Sequence, residues 1–280
     1  MLIIKLLLFL FIFVGLYYII TYTITCFSNV PKDFLNVPED LPDIKFGIVI
    51  PTFNRGNGKT IPYLKRSVAS IISQEHKYWD IILVGDKFEP EHILLDFINE
   101  YNNKLSKNNK IIYLNNPNVE RDYIKNKEKL WMCAGATSVN MGLKYCRENN
   151  YKYYCHLDDD DYWSPKHLLY LAKIYNKFPN CVFTNTQSTY LDFFLPEEIM
   201  EIYENNRLSE GRATVHSSIS FRSDIIPFYY DTTLTENGID EPSDLLLLNK
   251  IKDFIINNKK YSSIYIPSLT CYHDMEGELK

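Results

Sequence analysis

Four consecutive aspartates at positions 158–161 directly follow an apolar segment that ends at Leu157. We call them the acidic run. Two carboxylates about 4 Å apart repel each other by roughly 4 kcal/mol at an effective dielectric constant of 20, so solvent or a counter-ion must offset the repulsion. Mg²⁺ or Mn²⁺ is a suitable counter-ion, because either takes one or two carboxylates and completes its shell with water and phosphate oxygens. The spacing does not fit a calcium-binding loop. The acidic run therefore predicts a site for Mn²⁺ or Mg²⁺.

The alternative explanation for the acidic run is a solvated turn in front of a helix. Ser164 and Pro165 follow the run, and serine before proline is typical of a helix amino terminus. Tyr162 and Trp163 lie between the run and that turn. Aromatic rings beside the carboxylates favour an enclosed site over open solvent, so we prefer the cation site.

The elements that must position these aspartates alternate between strands and helices. Short apolar segments predict strands at residues 46–50, 80–84, 110–114, 151–157, 181–184 and 262–272. Apolar residues at helical spacing predict helices at 60–74, 90–101, 133–149, 165–178 and 244–257. Thr60 is the predicted N-cap of the first helix, and residues 115–130 are predicted to form a loop. The alternation predicts an α/β fold with a mostly parallel central sheet flanked by helices.

Polar residues follow three of the predicted strands at their carboxyl ends. They are residues 51–55 (Pro-Thr-Phe-Asn-Arg), Asp86 and the acidic run. The carboxyl ends of parallel strands meet at one edge of the sheet, which is where ligands bind in this fold class. The three segments are therefore expected to form one site.

The order of these segments resembles the family 2 glycosyltransferases with the Rossmann-like A-type nucleotide-sugar fold. Residues 49–55 are similar to that family's first strand and its Pro-x-Tyr-Asn-Arg turn, with Phe in place of Tyr. Residues 81–86 are similar to its second strand, which ends in Asp. Residues 135–142 are similar to the helix before the metal motif, and residues 157–163 match Leu-Asp-x-Asp-Asp-x-Trp.

The resemblance is closest over residues 46–185 and implies roles for individual positions. The residues that it places beside the donor, a UDP-sugar as the first expectation, are Pro51, Thr52, Asn54, Arg55, Asp86 and Asp158. It makes Asp158 and Asp160 the pair that binds Mn²⁺ or Mg²⁺. His273, after the last predicted strand, is a candidate third metal ligand or phosphate ligand, and its alternative is a solvated surface histidine.

Two departures from the family pattern affect the chemistry. The family's Asp-Asp-Gly-Ser after the second strand is Gly-Asp-Lys-Phe at residues 85–88, which leaves the preferred base open. The family's catalytic base lies in Glu-Asp-x-Asp-Leu, and Pro242 falls on the base position here. The remaining candidates for the base are Asp240, Glu241 and Asp244. Their alternative role is an acidic first helical turn, which the helix dipole favours.

The activity that the resemblance implies is a metal-dependent, inverting transfer of a sugar from a nucleotide-diphosphate donor to an acceptor hydroxyl. The acceptor would be a glycan, a glycoprotein or a glycolipid. Pro242 motivates one alternative, a non-catalytic membrane-tethered carbohydrate-binding relative. A second alternative is a sugar-phosphate nucleotidyltransferase, which shares the sheet and the metal and is favoured slightly by the Gly- and Lys-containing residues 55–59.

The amino terminus predicts a membrane anchor in residues 1–25. Residues 6–24 are almost wholly apolar, and Tyr17, Tyr18 and Tyr22 suit a membrane interface. The alternative, a cleaved signal peptide, has a shorter apolar core and a small-residue cleavage site. Residues 26–44, with three prolines, predict a linker. Lys5 favours a single-pass protein whose catalytic domain lies on the non-cytoplasmic, lumenal side.

The rest of the sequence predicts one glycosyltransferase domain at residues 45–275, with a nucleotide-sugar half at 45–163 and an acceptor half at 164–275. The net charge of the 280-residue chain is −5, so no overall basic field attracts nucleic acid. The six cysteines contain no C-x-x-C pair, and neither a zinc site nor a disulfide framework is predicted.

Overall fold

The computed structural model describes residues 40–190, 193–195 and 214–274. The predicted membrane anchor and most of the predicted linker lie outside the described residues. Among the helices that are described, none combines the length and the apolar character that crossing a bilayer requires.

The described strands form a single nine-stranded sheet. They are β1 (Phe46–Thr52), β2 (Trp79–Asp86), β3 (Ile111–Asn116), β4 (Tyr153–His156), β5 (Tyr162–Trp163), β6 (Cys181–Tyr190), β7 (Phe193–Leu195), β8 (Ile219–Arg222) and β9 (Ser262–Tyr272). Their order across the sheet is β3-β2-β1-β4-β8-β6-β9-β5, with β7 paired to β6. Predicted and observed strands agree in position, although β6 is much longer than the predicted 181–184.

The sheet is mixed, which corrects the prediction of a mostly parallel sheet. Strands β1 to β4 are parallel to one another, as predicted. Strand β8, in contrast, lies between β4 and β6 and runs antiparallel to both. Strand β5 is antiparallel to β9, and β6 is parallel to β9. The prediction failed in this second part because strand direction depends on distant pairing partners, which a local apolar pattern does not specify.

The described helices cover both faces of the sheet. They are α1 (Thr60–Ile72), α2 (His92–Asn102), α3 (Glu120–Tyr123), α4 (Lys127–Cys133), α5 (Ala136–Glu148), α6 (His167–Lys177) and α7 (Ser243–Asn257), with a 3₁₀ turn at His216–Ser218. The predicted loop at residues 115–130 instead contains α3 and part of α4. The predicted helix at 133–149 is interrupted at Gly135, whose φ of 80° is the left-handed conformation that glycine adopts easily.

The N-cap predicted for α1 is also corrected. Lys59 occupies the cap position, and Thr60 is the first helical residue. The Thr60 hydroxyl donates to the carbonyl of Phe53 at 3.0 Å and accepts from the backbone N–H of Arg55 at 3.0 Å. Thr60 therefore fixes the turn after β1 rather than the start of the helix.

Strands β1 and β2 are buried on both faces, and their side chains alternate between two apolar layers. Ile48 and Leu83 belong to the layer that contains α1, α2 and α6, whereas Val49 and Ile82 belong to the layer that contains α5 and α7. Helix α5 lies so close to β1 that a Cβ atom at Gly142 would be 2.5 Å from Val49 Cγ1. This packing fixes the carboxyl ends of β1 and β2 beside the amino end of α5.

Candidate active site at the carboxyl edge of the sheet

The acidic run is fixed to helix α1 through its backbone. The Ser67 hydroxyl, which is fully buried, donates to the carbonyl oxygens of Asp159 at 2.9 Å and of Asp161 at 2.5 Å. Arg66 bonds the carbonyl of Asp160. The backbone of the acidic run is therefore held in place at the edge of the sheet and is not a solvated turn.

Residues from the turn after β1 bind the middle of the acidic run. The Arg55 guanidinium donates to both oxygens of Asp159, at 2.6 and 2.8 Å, and to Asp160 at 3.1 Å. The Thr52 hydroxyl donates to Asp159 at 2.5 Å. Sequence analysis predicted that these segments meet at one edge, and the contacts confirm that prediction. The bidentate pairing of Arg55 with Asp159 is the strong form of this ion pair.

His273 contacts the last aspartate of the run. Its Nδ1 lies 3.0 and 3.1 Å from the two carboxylate oxygens of Asp161, which also accepts the backbone N–H of Asp274 at 3.0 Å. The ring stacks on Tyr190 with a centroid separation of 5.4 Å. His273 is thus part of the site and not a solvated surface histidine.

Asp158 contacts a different set of residues. Its Oδ1 is 2.8 Å from Nε2 of His156, its Oδ2 accepts from the Ser217 hydroxyl at 3.3 Å, and its backbone N–H donates to the same hydroxyl at 3.0 Å. The His216 ring stacks on that of His156 with centroids 3.6 Å apart. His216 Nε2 is 2.5 Å from the hydroxyl of Tyr230. Sequence analysis identified neither His156 nor Tyr230 as a site residue.

The acidic run retains more negative charge than its protein partners neutralise. Burial and the carboxylates of Asp159, Asp158 and Asp161 raise the pKa of Asp160 to about 8, although Arg55 opposes the shift. Burial likewise raises the pKa of Asp161, against the opposing effect of His273. Burial would also raise the pKa of Asp158, but His156 outweighs it and the pKa falls. A proton on Asp160, or a cation bound elsewhere in the acidic run, is therefore favoured.

The residues of this edge fit a divalent cation. Within the described parts of the chain, the group of three side chains whose ligand atoms all lie within 4.8 Å of one another consists of His156, Asp158 and His216. Asp158 belongs to the metal set predicted from sequence. Asp160 and His273, the other two predicted ligands, are bonded to Arg55 and Asp161.

Asp86 ends β2 and binds two polar partners. Its carboxylate accepts from the Ser138 hydroxyl at 2.6 Å and from Arg121 Nε at 2.9 Å. The Arg121 guanidinium lies 3.8 Å from the centroid of the Phe53 ring, and the Arg55 guanidinium lies 4.7 Å from it. Phe53 therefore connects the Asp86 pocket to the acidic run. Sequence analysis missed Arg121 because it lies in the segment predicted as a loop, which has no periodic pattern.

The two remaining predicted donor residues hold the backbone of this edge. The Asn54 amide donates to the carbonyl of Glu89 at 2.7 Å, and its side-chain oxygen accepts the N–H of Gly56 at 3.1 Å. Pro51 lies in β1 opposite Val84 of β2. Both residues therefore shape the loop between β1 and α1.

The three candidate bases occupy different environments. The Asp240 side chain is 96% exposed and pairs with Lys129, and Glu241 is also exposed. Asp244, in the first turn of α7, is partly buried. Burial raises the pKa of Asp244, and the neighbouring charge of Asp158 raises it further. Asp244 is therefore the candidate whose carboxylate is electrostatically linked to the acidic run.

The cysteines take no part in this site. Cys133, Cys146, Cys155, Cys181 and Cys271 are buried free thiols, and Cys26 lies outside the described residues. Burial raises the pKa of Cys155 to about 12. Thiols in such surroundings behave as small apolar side chains.

The geometry of this site agrees with the similarity of the chain to a known protein family. The sequence matches the family described as Glycosyl transferase family 2 over residues 47–229, which include β1, β2, Asp86 and the acidic run. The chain is a family 2 glycosyltransferase.

A viral relative extends the match of this family 2 glycosyltransferase. The "Uncharacterized glycosyltransferase R139" of Acanthamoeba polyphaga mimivirus is 43% identical over 245 residues, which are 85% of this chain and 97% of that protein. Among the three interpretations of the sequence, the match supports a transferase enzyme.

Solved structures share the fold of this glycosyltransferase. S. aureus TarS residues 1–349, in complex with UDP-GlcNAc, has a TM-score of 0.55 at 16% identity, covering 82% of this chain and 58% of that one. The mannosyltransferase PcManGT from Pyrobaculum calidifontis, in complex with GDP-Man and Mn²⁺, has a TM-score of 0.51 at 14% identity, covering 89% and 63%. The chain thus spans about three fifths of these structures. The likeness confirms an A-type glycosyltransferase fold.

Proposed function

We propose that this enzyme transfers a sugar from a nucleoside-diphosphate donor to an acceptor hydroxyl, with inversion and with the help of a divalent cation. The observation that carries the proposal is the convergence of the acidic run with the turn after β1, through Arg55, Thr52 and Asp159. That convergence creates a buried, negatively charged edge beside a polar pocket around Asp86. A nucleotide with its diphosphate and a cation would satisfy both features.

The nucleobase would bind at Asp86 and Arg121. A carboxylate accepts from a ring N–H and a guanidinium donates to a ring carbonyl, so the pair complements the edge of uracil or of guanine. A UDP-sugar is the first donor to test. The ligands in the compared structures, UDP-GlcNAc for TarS and GDP-Man for PcManGT, define the two donor classes to test first.

A divalent cation, Mn²⁺ or Mg²⁺, would be held at the acidic run with Asp158 as one ligand. When bound, such an ion supplies Lewis-acid stabilisation to a diphosphate leaving group. The chain itself contributes Arg55, whose guanidinium keeps the neighbouring carboxylates of Asp159 and Asp160 in position. Burial and the neighbouring carboxylates raise the pKa of Asp160, and a cation held at the acidic run would offset this accumulation of negative charge.

The general base would be Asp244. Its raised pKa makes it a better proton acceptor than an ordinary carboxylate, and Pro242 at the N-cap of α7 leaves the start of this helix without another acidic side chain inside the site. In the proposed step Asp244 accepts the proton of the acceptor hydroxyl as that oxygen bonds to the anomeric carbon. The bond between that carbon and the diphosphate breaks with its electron pair, and the configuration inverts.

The acceptor would be a glycan, a glycoprotein or a glycolipid, presented to the enzyme near a membrane. The apolar residues 1–25 support attachment by an amino-terminal helix, with the catalytic domain on the non-cytoplasmic side. Proteolysis of the intact membrane-bound protein from one side, or its labelling with a membrane-impermeant reagent, would test this arrangement.

A donor screen tests the proposed transfer. The full chain is incubated with nucleotide-sugars and Mn²⁺, and both the released nucleoside diphosphate and the glycosylated product are measured. We expect nucleoside diphosphate from one UDP-sugar and an inverted anomeric configuration in the product. Formation of pyrophosphate would instead identify a nucleotidyltransferase. Retention of configuration would remove the single-displacement role of Asp244.

A further inference from the structure

We propose that His156, Asp158 and His216 form a binding site for a borderline transition-metal ion, such as Mn²⁺, Co²⁺ or Zn²⁺, at the end of β4. The ion's role in sugar transfer depends on the proposed function, whereas its binding does not. The site uses two imidazoles and one carboxylate in place of the Asp158, Asp160 and His273 set predicted from sequence.

The four aspartates of the acidic run have different hydrogen-bonding partners. Asp159 has both oxygens bonded to Arg55, and Asp160 also contacts Arg55. Asp161 is fully buried between His273 and a backbone N–H. Asp158 faces two imidazoles and a hydroxyl and, among the described residues, no guanidinium. An added cation is therefore most easily accommodated beside Asp158.

The candidate ligand atoms lie at distances from one another that are close to those around a bound metal ion. Two adjacent ligands of an octahedral ion at about 2.1 Å from the metal lie about 3.0 Å from each other. His156 Nε2 and Asp158 Oδ1 are 2.8 Å apart, so an ion can replace the shared proton with a small movement. The ligand atoms of all three side chains lie within 4.8 Å of one another. The His156 and His216 rings are stacked with an interplanar angle of 17°, so one ring must turn out of the stack for both nitrogens to face a single ion.

Tyrosine hydroxyl groups contact the two candidate histidine ligands from the interior of the protein. His216 Nε2 is 2.5 Å from the Tyr230 hydroxyl, and His156 Nδ1 is 3.4 Å from the Tyr154 hydroxyl. Both tyrosines are buried. Partners of this kind orient metal-binding imidazoles in proteins. A metal site would explain why these two histidines and two tyrosines lie together in an otherwise apolar layer.

The site also has an open side. The His156 side chain is 1% exposed, whereas that of Asp158 is 34% exposed. Solvent therefore reaches the carboxylate and not the ring behind it. An ion can enter from the cleft and retain coordination positions for water or for the phosphates of a donor.

The ligand set predicts which metals bind. Imidazole suits later transition metals, and affinity for a given nitrogen- and oxygen-containing site rises from Mn²⁺ to Co²⁺ and Ni²⁺, whereas Mg²⁺ prefers oxygen ligands and retains water. We expect Co²⁺ and Zn²⁺ to bind more tightly than Mn²⁺, and Mg²⁺ to bind most weakly. A site built from Asp158 and Asp160 alone would instead coordinate the ion entirely through oxygen.

Spectroscopy of the metal-loaded full chain tests the site without an activity assay. The metal-free protein is titrated with Mn²⁺ and Co²⁺, and nitrogen coordination is measured by electron spin-echo envelope modulation of bound Mn²⁺ and by the visible absorption of Co²⁺. We expect signals from two imidazoles. His216→Gln should lose one of them and weaken binding by more than the roughly 10–100-fold that follows loss of a supporting partner.

The matched control is His273→Gln, which removes the histidine at the other end of the acidic run. We expect this variant to keep both nitrogen signals. Asp158→Asn, which preserves shape, should weaken binding in a protein whose thermal unfolding midpoint is close to that of the wild type. Failure of the chain to bind either metal, all-oxygen coordination, or loss of nitrogen signal in His273→Gln but not in His216→Gln would each overturn the proposal. Intact nitrogen coordination without any sugar transfer would instead contradict the proposed function.

Discussion

The two sides of the sheet build the candidate site in different ways. On the β1–β4 side the strands are parallel, and Thr52, Asp86 and the acidic run stand at or just after strand ends. On the β6, β8 and β9 side the strands are mixed in direction, and the functional side chains come from a 3₁₀ turn, a helix start and a strand end, at His216, Asp244 and His273. The first side places its chemistry by a topological rule, and the second by individual tertiary contacts.

This difference suggests a division of work. The contacts of the first side, such as Arg55 with Asp159 and Arg121 with Asp86, are charge-assisted bonds between neighbouring loops. They suit a nucleotide and its diphosphate, which are common to many donors. The second side contributes Asp244, whose pKa responds to the charge of Asp158, and the His216–Tyr230 pair. Substitutions at Arg121 and at Asp244 should therefore affect donor binding and proton transfer separately.

The largest expected effect is at Asp158, which both sides share. Asp158→Asn keeps the size of the side chain and removes the negative charge that faces His156 and a bound cation. Because charge stabilisation is commonly the largest single contribution to catalysis, transfer should fall below detection while the protein stays folded. Release of nucleoside diphosphate and thermal unfolding are the measurements. Asp253→Asn, an exposed aspartate on α7, is the matched control and should retain wild-type rates. Full activity of Asp158→Asn would remove the cation from the proposed chemistry.

The next effect distinguishes the second side. Asp244→Asn removes the candidate base and should lower kcat by about 10²–10⁴-fold, the usual contribution of general acid–base catalysis, with little change in the KM for the donor. Glu241→Gln and Asp240→Asn, which are exposed neighbours of the same loop, should stay within about twofold of the wild type, as expected for surface substitutions away from the chemistry. A large loss in Glu241→Gln with none in Asp244→Asn would reverse the assignment.

Much of the first side could be predicted from the sequence, and the reason is local. Each buried apolar strand ends where its polar residues begin, so residues 51–55, Asp86 and the acidic run were assigned to one edge before any contact was known. The fold class followed from the same alternation. The direction of the strands beyond β4 did not, because β8 and β9 pair with strands far away in the chain.

Three site residues, from both sides of the sheet, were harder to predict. His156 precedes the acidic run by two residues but reads as part of a buried strand, where an apolar-pattern analysis gives a histidine no role. His216 lies sixty residues further on and reaches His156 only through the pairing of β8 with β4. Arg121 was missed because its short helix α3 has no periodicity to reveal it. Contacts of long sequence separation, and not residue type, identify these side chains.

A smaller effect tests nucleotide binding on the first side. Arg121→Ala removes a donor to Asp86 and the cation that covers Phe53. A hydrogen bond to a charged group contributes about 1.5–3 kcal/mol, so donor affinity should fall by roughly 10–100-fold with kcat largely preserved. Binding of the donor and of the free nucleoside diphosphate is measured by calorimetry. Lys125→Ala, an exposed change in the same segment, should bind normally. Unchanged affinity in Arg121→Ala would place the base elsewhere.

The smallest effects come from a matched pair of buried serines, one on each side. The Ser67 hydroxyl supports the acidic run, and the Ser218 hydroxyl donates to the carbonyl of Val215 at 2.7 Å within the turn that carries His216. Ser67→Ala removes the hydroxyl donor of two buried carbonyl oxygens and should lower the free energy of unfolding by about 1–3 kcal/mol. Ser218→Ala should cost less, about 0.5–1.5 kcal/mol, because the Val215 carbonyl still accepts the backbone N–H of Ser218. Denaturant unfolding measures both costs.

The two serine variants should differ in metal affinity only if the sides contribute unequally to the cation site. If the ion lies between Asp158 and His216, both Ser67→Ala and Ser218→Ala weaken Mn²⁺ binding, because each loosens one wall of the site. If the ion depends on the acidic run alone, Ser218→Ala binds Mn²⁺ as the wild type does, despite its loss of stability. The comparison thus separates a site built across the β4–β8 pairing from one built within a single loop.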